Sequence, residues 1–196
     1  MDPVELRTER LVLNQPTGDD LARVVEYCRD PLFEHYMTLP WPYQEKDAVF
    51  FVERLVPDGW RTEREYTWAL REASTGPLLG VVGMRVQPEP RTVDVGYWLG
   101  GPHRGHGHMT KATRAAVSWA FDSGRCDTVL WECVAGNRAS ARVARSAGFS
   151  FTGAGTGRVT LRDGSQPDAW LGARHRGGDE ELARSTWPES TIGADA

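Results

Sequence analysis

The stretch that most restricts what this chain can become is DVGYWLGGPHRGHGHMTKATRAAVSWAFDSG, residues 94–124. It reads as a strand, a turn rich in glycine and histidine, and the strongest helix signal in the sequence. Strand-like runs precede it: RLVLNQP, then EYTWALRE, PLLGVVGMRV and RTVDVGYWL, the last three separated by STGP and QPEP turns. GDDLARVVEYCRD reads as a helix that Asp19 or Asp20 can cap, with Leu21, Val24, Val25 and Cys28 on one face. FEHYMTLPWPY reads as an aromatic loop broken by two prolines, and DAVFFVERLV as a helix ended by PDG. After the glycine turn and its helix come TVLWECV as a strand, ASARVARSAG as a helix with a glycine stop, and FSFTGAGTGRVTLR and DAWLGARH as strands joined by DGSQP. Antiparallel strands first, then strands alternating with helices, predict an α/β fold built on a mixed sheet.

The turn sits where a strand ends and a helix begins, a position with a physical use. The first backbone N–H groups of a helix lack partners and the helix dipole is positive there, so phosphate satisfies both. Gly105 and Gly107 permit unusual dihedrals and close backbone approach, and Arg104 adds charge. Other phosphate motifs do not fit. A Walker loop places its lysine directly after a glycine, whereas Lys111 lies four residues beyond Gly107. A dinucleotide fingerprint belongs near the first strand of a parallel sheet, and this turn lies mid-chain. His103, His106 and His108 invite a metal reading, but no carboxylate or cysteine ligand accompanies them and a metal site needs three or four ligands. No metal is expected.

The rest of the chain bounds the function. A length of 196 residues with 40% hydrophobic content predicts one domain over residues 1–175. Residues 176–196, ending GGDEELARSTWPESTIGADA, are polar and aperiodic and predict a flexible C-terminal tail, from which Trp187 could dock. A net charge of −4 offers no footprint for nucleic acid. Cys28, Cys126 and Cys133 form neither a CxxC pair nor an even disulfide set, which suits a reducing compartment. MDPVELRTERLVLNQP lacks the apolar core of a secretory signal, and no window reaches the ~18 apolar residues of a membrane span. The expected location is the cytoplasm, away from membranes.

DVGYWLGGPHRGHGHMTKA followed by CVAGNRASARVARSAGFSFTG resembles the GNAT acyltransferase superfamily, and most closely its Rim-type branch of ribosomal-protein N-terminal alanine acetyltransferases and their relatives. The opening TERLVLNQP and the pair WALRE and TGPLLGVVGMR resemble that branch as well, and the likeness covers roughly residues 5–175. It implies a mostly antiparallel twisted sheet, splayed between the fourth strand (RTVDVGYWL) and the fifth (TVLWECV), with flanking helices. It implies acetyl-CoA, or another acyl-CoA, as cosubstrate. Arg104, Gly105, His106, Gly107, His108, Met109 and Thr110 match the acyl-CoA loop; Trp98, Leu99 and Gly100 match the strand end whose freed backbone pairs with pantetheine; Asn137 matches the residue that meets the pantetheine arm. Gly148 and Phe149 match the Gly-Phe that ends the following helix.

Transfer to a primary amine needs a route for the amine's proton, donors for the oxyanion and an acid for the leaving sulfur. Deprotonating an α-amine of pKa near 8 at pH 7 costs ~1 kcal/mol, against about 4.6 kcal/mol for a lysine. Asp94 matches the strand position where many of these enzymes carry a carboxylate, although glutamate is more usual and the shorter Asp requires a bridging water. It is equally readable as a solvent-side charge. Many family members place an acidic tyrosine seven residues after the Asn; here that place is Ala144, so the acid falls to Ser140, three residues after Asn137. Ser140 is also readable as a helix-start hydrogen-bonding residue. Phe33, Glu34, His35, Tyr36 and Trp41 occupy the segment that lines the branch's acceptor cleft, and read alternatively as core beneath a long loop. The acceptor is expected to be a protein N-terminus or a small-molecule amine. Two alternatives stay open: a homodimer, and a weakly catalytic regulator that binds acyl-CoA.

Overall fold

In the computed structural model, which describes residues 1–193, one eight-stranded sheet runs in the order β1-β2-β3-β4-β5-β6-β8-β7. β1 (Leu6–Arg7), β2 (Val12–Asn14), β3 (Glu65–Arg71), β4 (Gly80–Val86) and β5 (Thr92–Leu99) form an antiparallel meander. β6 (Thr128–Val134) lies parallel to β5, and β8 (Asp168–His175) inserts antiparallel between β6 and β7 (Ser150–Thr156). The mixed, mostly antiparallel sheet is the one expected. Its single parallel pair needs a crossover, and α5 (His108–Asp122) supplies it.

Side chains on β5 alternate between two cores. Val93 and Val95 join Trp68, Val82, Met84 and Trp131 beneath α5 and α6 (Arg138–Ser146), whereas Trp98 turns to the opposite face with Ala69 and Val81 under α1 (Leu21–Cys28). α5 fits closely because the residues it buries are mostly small: Ala112, Ala116 and Ala120 line its inner face with Met109, Val117 and Phe121. It starts at Gly107 and stops at Gly124, both at positive φ.

Three local expectations are corrected. The aromatic segment begins as a helix, α2 (Pro31–Tyr36), because Pro31 suits a first helical position and the Asp30 carboxylate accepts the Leu32 amide at 2.9 Å. The helix expected to stop at Pro57 continues: α3 (Glu45–Phe50) passes through a π-type stretch, Phe51–Leu55, into α4 (Val56–Thr62). The widened turn spares Pro57 its usual clash with the carbonyl four residues earlier. Gly59 belongs there since a Cβ would lie 2.6 Å from the Glu65 carbonyl oxygen.

The segment expected to be a flexible tail is folded as far as Gly193. Asp179 caps α7 (Glu180–Ser185), and α8 (Glu189–Ile192) follows. Between them Trp187 is 6% exposed, its ring 5.4 Å from Trp131 and 5.5 Å from Phe151, and its indole donates to the Phe149 carbonyl at 2.6 Å. Burying one indole and Ile192 offsets the ordering entropy that the polar composition pointed to. The last three residues of that segment, 194–196, lie outside the described residues.

Candidate active site

The site is built where β5 and β6 part. β5 stays paired with β4 as far as Leu99, but its ladder with β6 ends at the Val95–Trp131 pair. From Gly96 onward the strands diverge, which is the splay expected between the fourth and fifth strands of the sequence reading. A wedge of unpaired backbone opens there. At its wide end are the turn into α5 on one side and Asn137 at the start of α6 on the other.

Gly105 and Gly107 hold φ values of +80° and +74°, and a Cβ on either would meet nothing within 4 Å. The turn is thus bare backbone facing open space, at the positive end of a fifteen-residue helix. These features fit a pyrophosphate. Charged side chains contribute less than expected. Arg104 is committed elsewhere: it pairs with Asp30 at 2.7 Å, donates to the Leu99 carbonyl at 3.0 Å and lies 5.7 Å above the Phe33 ring. His103 shares a 2.9 Å hydrogen bond with the Tyr27 hydroxyl, and burial, helped by Arg23, holds its imidazole below the ordinary range. His108 is buried, which likewise lowers its pKa, with Arg10 adding to the effect. Only His106 is exposed, its ring 5.7 Å from that of His108. An anion at this turn would meet the amides of residues 105–110, Thr110 among them, more than cationic side chains.

The resemblance assigned Trp98, Leu99, Gly100 and Met109 to the cosubstrate, and their side chains have structural work. Trp98 and Met109 are core residues. Gly100 is required by packing, because a Cβ there would stand 2.7 Å from the Tyr27 ring. Any contact from these residues comes from backbone.

Asn137 caps α6, its side-chain carbonyl accepting the Ser140 amide at 3.1 Å. The Ser140 hydroxyl donates to the Tyr97 hydroxyl at 3.2 Å and accepts from the Trp131 indole at 3.3 Å, while Tyr97 donates to the Ser140 carbonyl at 2.9 Å. Burial pushes the Tyr97 phenol well above its ordinary range, so it stays neutral. The Cys133 thiol lies 3.8 Å from the Asn137 carbonyl, and burial raises it to about 12. Tyr97, Trp131 and Cys133 around Ser140 were absent from the sequence reading. The signal available was strand alternation, which puts Tyr97 on the opposite face from Asp94 and so toward α6.

Asp94 is half-buried on the other face of β5, directly across from Arg85 of β4. Burial pushes its carboxyl above the ordinary carboxylate range; Arg85 and Arg158 pull it back, and Glu65 and Glu132 oppose them. Arg85 is paired with Glu65 at 3.1 Å and Arg158 with Glu132 at 2.8 Å. Beside Asp94 the floor has no side chains, since Gly83 of β4 opposes Gly96 of β5. Asp94 and Ser140 therefore flank the parting of the strands from opposite faces of the sheet.

The five aromatic-loop residues divide. Phe33 is not a cleft residue: it is 6% exposed, packed 6.0 Å from Trp98 beneath Arg104. Its ring fills the space between α2 and the sheet. Glu34 and His35 are exposed, with His35 stacked edge-on against Tyr36 at 4.5 Å. Tyr36 reaches the Gly136 carbonyl at 3.5 Å, across the wedge, and Trp41 lies 6.0 Å under the Arg162 guanidinium. Among the described residues no group of three or more His, Cys, Asp or Glu side chains could hold a metal ion, and no helix is long and apolar enough to cross a membrane.

Comparison with known proteins matches this arrangement. The model of the acetyltransferase (GNAT) domain family covers residues 10–150. The chain is 32% identical over 77 residues to the ribosomal-protein-serine acetyltransferase of Escherichia coli K12, a match spanning 39% of this chain and 43% of that protein. The matches span roughly half the length of the curated relatives, from 43% to 63%. Among solved structures, RimL, a ribosomal L7/L12 α-N-protein acetyltransferase in complex with coenzyme A, superposes with a TM-score of 0.75 at 19% identity, covering 90% of this chain and all of that one. The microcin C7 self-immunity acetyltransferase MccE, in complex with acetyl-CoA and AMP, gives 0.74 at 22% identity, covering 86% of this chain and 94% of that one. With a family model matched over most of its length and the family's splayed sheet in place, this chain belongs to the GNAT acetyltransferase family.

Proposed function

We propose that this protein transfers an acetyl group from acetyl-CoA to a primary amine by direct attack in a ternary complex, in the cytoplasm, where its three free thiols stay reduced. The observation that carries the reading is the bare-backbone turn through Gly105 and Gly107, opening beside a wedge flanked by Asp94 on one face and Ser140 on the other. The amides of residues 105–110 bind the pyrophosphate, and the unpaired backbone beyond Gly96 receives the pantetheine arm. Asp94, raised by burial, takes the amine's proton through a water. The Ser140 hydroxyl rotates from Tyr97 to pass a proton to the departing sulfur and regains one from solvent, while the Trp131 indole holds its oxygen. The acceptor is an α-amine, of a protein N-terminus or a small molecule, because its lower pKa asks less of an aspartate than a lysine does.

Titration calorimetry with acetyl-CoA tests the foundation. Micromolar binding by the wild type is expected, with none by Gly107→Val, whose side chain projects into the phosphate space at a backbone angle that disfavours it. Equal affinity for both forms places the cosubstrate elsewhere. Turnover with any amine then excludes a purely regulatory acyl-CoA-binding protein.

A further inference from the structure

The strand β7 ends at Thr156, and the eleven residues from 157 to 167 that lead to β8 extend the hairpin: the Gly157 amide donates to the Pro167 carbonyl at 2.8 Å and the Leu161 amide to the Ser165 carbonyl at 2.8 Å, closing a turn at the tip. They cross the Asp94 face of the sheet. Their first part is fastened to β6: the buried Glu132 carboxylate accepts from the Arg158 amide at 3.3 Å, the Arg158 guanidinium at 2.8 Å and the Val159 amide at 2.9 Å. Their tip is fastened to the other wall. Arg162 donates to the carbonyls of Glu34 and Leu39, each at 2.6 Å, of Met37 at 3.0 Å and of Phe33 at 3.3 Å.

Those four acceptors lie in the last turn of α2 and the loop that follows; the Phe33 carbonyl also accepts the Met37 amide at 3.0 Å, and the other three lie where a helix end leaves carbonyls without backbone partners. A guanidinium meets them well, since its planar fork donates in several directions and its charge suits the negative end of the helix. Arg162 also lies over Trp41 at 6.0 Å. The far end of the same wall is pinned by Tyr36 to Gly136 and, through Asp30, by Arg104. Between these fastenings lies the floor of Gly83 and Gly96 with Asp94 at its edge. The loop thus spans this face of the sheet from β6 to α2.

We infer that Arg162 determines acceptor specificity: by tying the 157–167 loop to the α2 loop it closes the acceptor side, and the site takes a small α-amine rather than the N-terminus of an extended polypeptide. The inference rests on the acetyltransferase reading above. A peptide acceptor needs an exit for the chain beyond its first residues, and the bridge from Arg162 to residues 33–39 stands in that path. Arg162 touches no reacting atom and acts as a positioning residue.

The experiment compares L-alaninamide and L-serinamide with eight-residue peptides beginning with the same residues, so that the reacting amine is held nearly constant and bulk varies. Wild type, Arg162→Ala and Arg162→Lys are assayed with acetyl-CoA, and melting temperatures report folding of each form. In the wild type the amides are expected to exceed the peptides by about tenfold or more in kcat/KM, carried mainly by KM. In Arg162→Ala that ratio collapses toward one as the peptide KM falls. Arg162→Lys, with one ammonium unable to span four carbonyls, falls between. A wild type that acetylates peptides as well as amides overturns the inference, as does a ratio unmoved in a folded Arg162→Ala. Inertness of both probe classes in a protein that binds acetyl-CoA overturns it too, since a small α-amine is the acceptor it names. Loss of acetyl-CoA binding itself, read by calorimetry on the wild type, refutes the underlying reading instead.

Discussion

Replacing Ser140 by alanine separates chemistry from structure at the centre of the site. The hydroxyl makes two hydrogen bonds, to Tyr97 at 3.2 Å and from Trp131 at 3.3 Å, while its backbone amide and carbonyl hold Asn137 and the Tyr97 phenol independently of the side chain. Tyr97 therefore keeps its bond to the Ser140 carbonyl, and only the Trp131 indole is left short of a partner. Both lost bonds are long, so the loss of stability is about 1–2 kcal/mol. For a domain of this size that corresponds to a melting temperature lower by roughly 2–8 °C. The catalytic loss is expected to be larger in free-energy terms: removing a proton donor to the sulfur lowers kcat by ~10- to 1000-fold, about 1.4–4 kcal/mol. KM for acetyl-CoA should change little, because the proposed phosphate cradle lies at the start of α5 and not on α6. The assay is steady-state release of CoA thiol with the best amine found, run beside thermal unfolding of the same preparations. A Ser140→Ala protein that melts a few degrees lower yet keeps kcat within a factor of two of wild type would falsify the acid role, and leave Ser140 as a residue that anchors Tyr97 and Trp131.

Asp94→Asn should move stability and activity in opposite directions. Burial raises the Asp94 pKa above its unfolded value, so the neutral form's contribution is fully present below about pH 4 and is lost as pH rises through the raised pKa. Above that window the ionised carboxylate is a cost, and Asn is expected to melt at or above the wild-type temperature at pH 8, while kcat/KM falls and its acidic limb disappears; an unchanged pH profile removes the base assignment. Trp187→Ala, which empties a site between Trp131 and Phe151, should cost about 3–5 kcal/mol and lower the melting temperature by roughly 10 °C, as measured by calorimetry. A shift under 2 °C would show the C-terminal segment to be loosely held.

The turn before α5 was legible because its information is contiguous. Gly105, Gly107 and the alanine-rich helix after them specify a positive-φ turn, a helix start and a close-packing face within twenty residues, each by local sterics. The order of elements, strand runs first and then strands alternating with helices, likewise set the sheet class. Local rules failed where tertiary contacts outweighed them: Pro57 reads as a stop, yet a π-type turn carries the helix past it, and a polar C-terminal segment reads as a tail until Trp187 finds Phe149 across 38 residues. The acceptor side was the least legible. Arg162 meets the carbonyls of α2 and its loop 123 to 129 residues away, and Tyr97 meets Ser140 across 43. No periodicity in a sequence marks which backbone carbonyls a distant arginine will satisfy; that pairing exists only once the sheet brings β7, β8 and α2 to one face, where the carbonyls at a helix end meet a guanidinium.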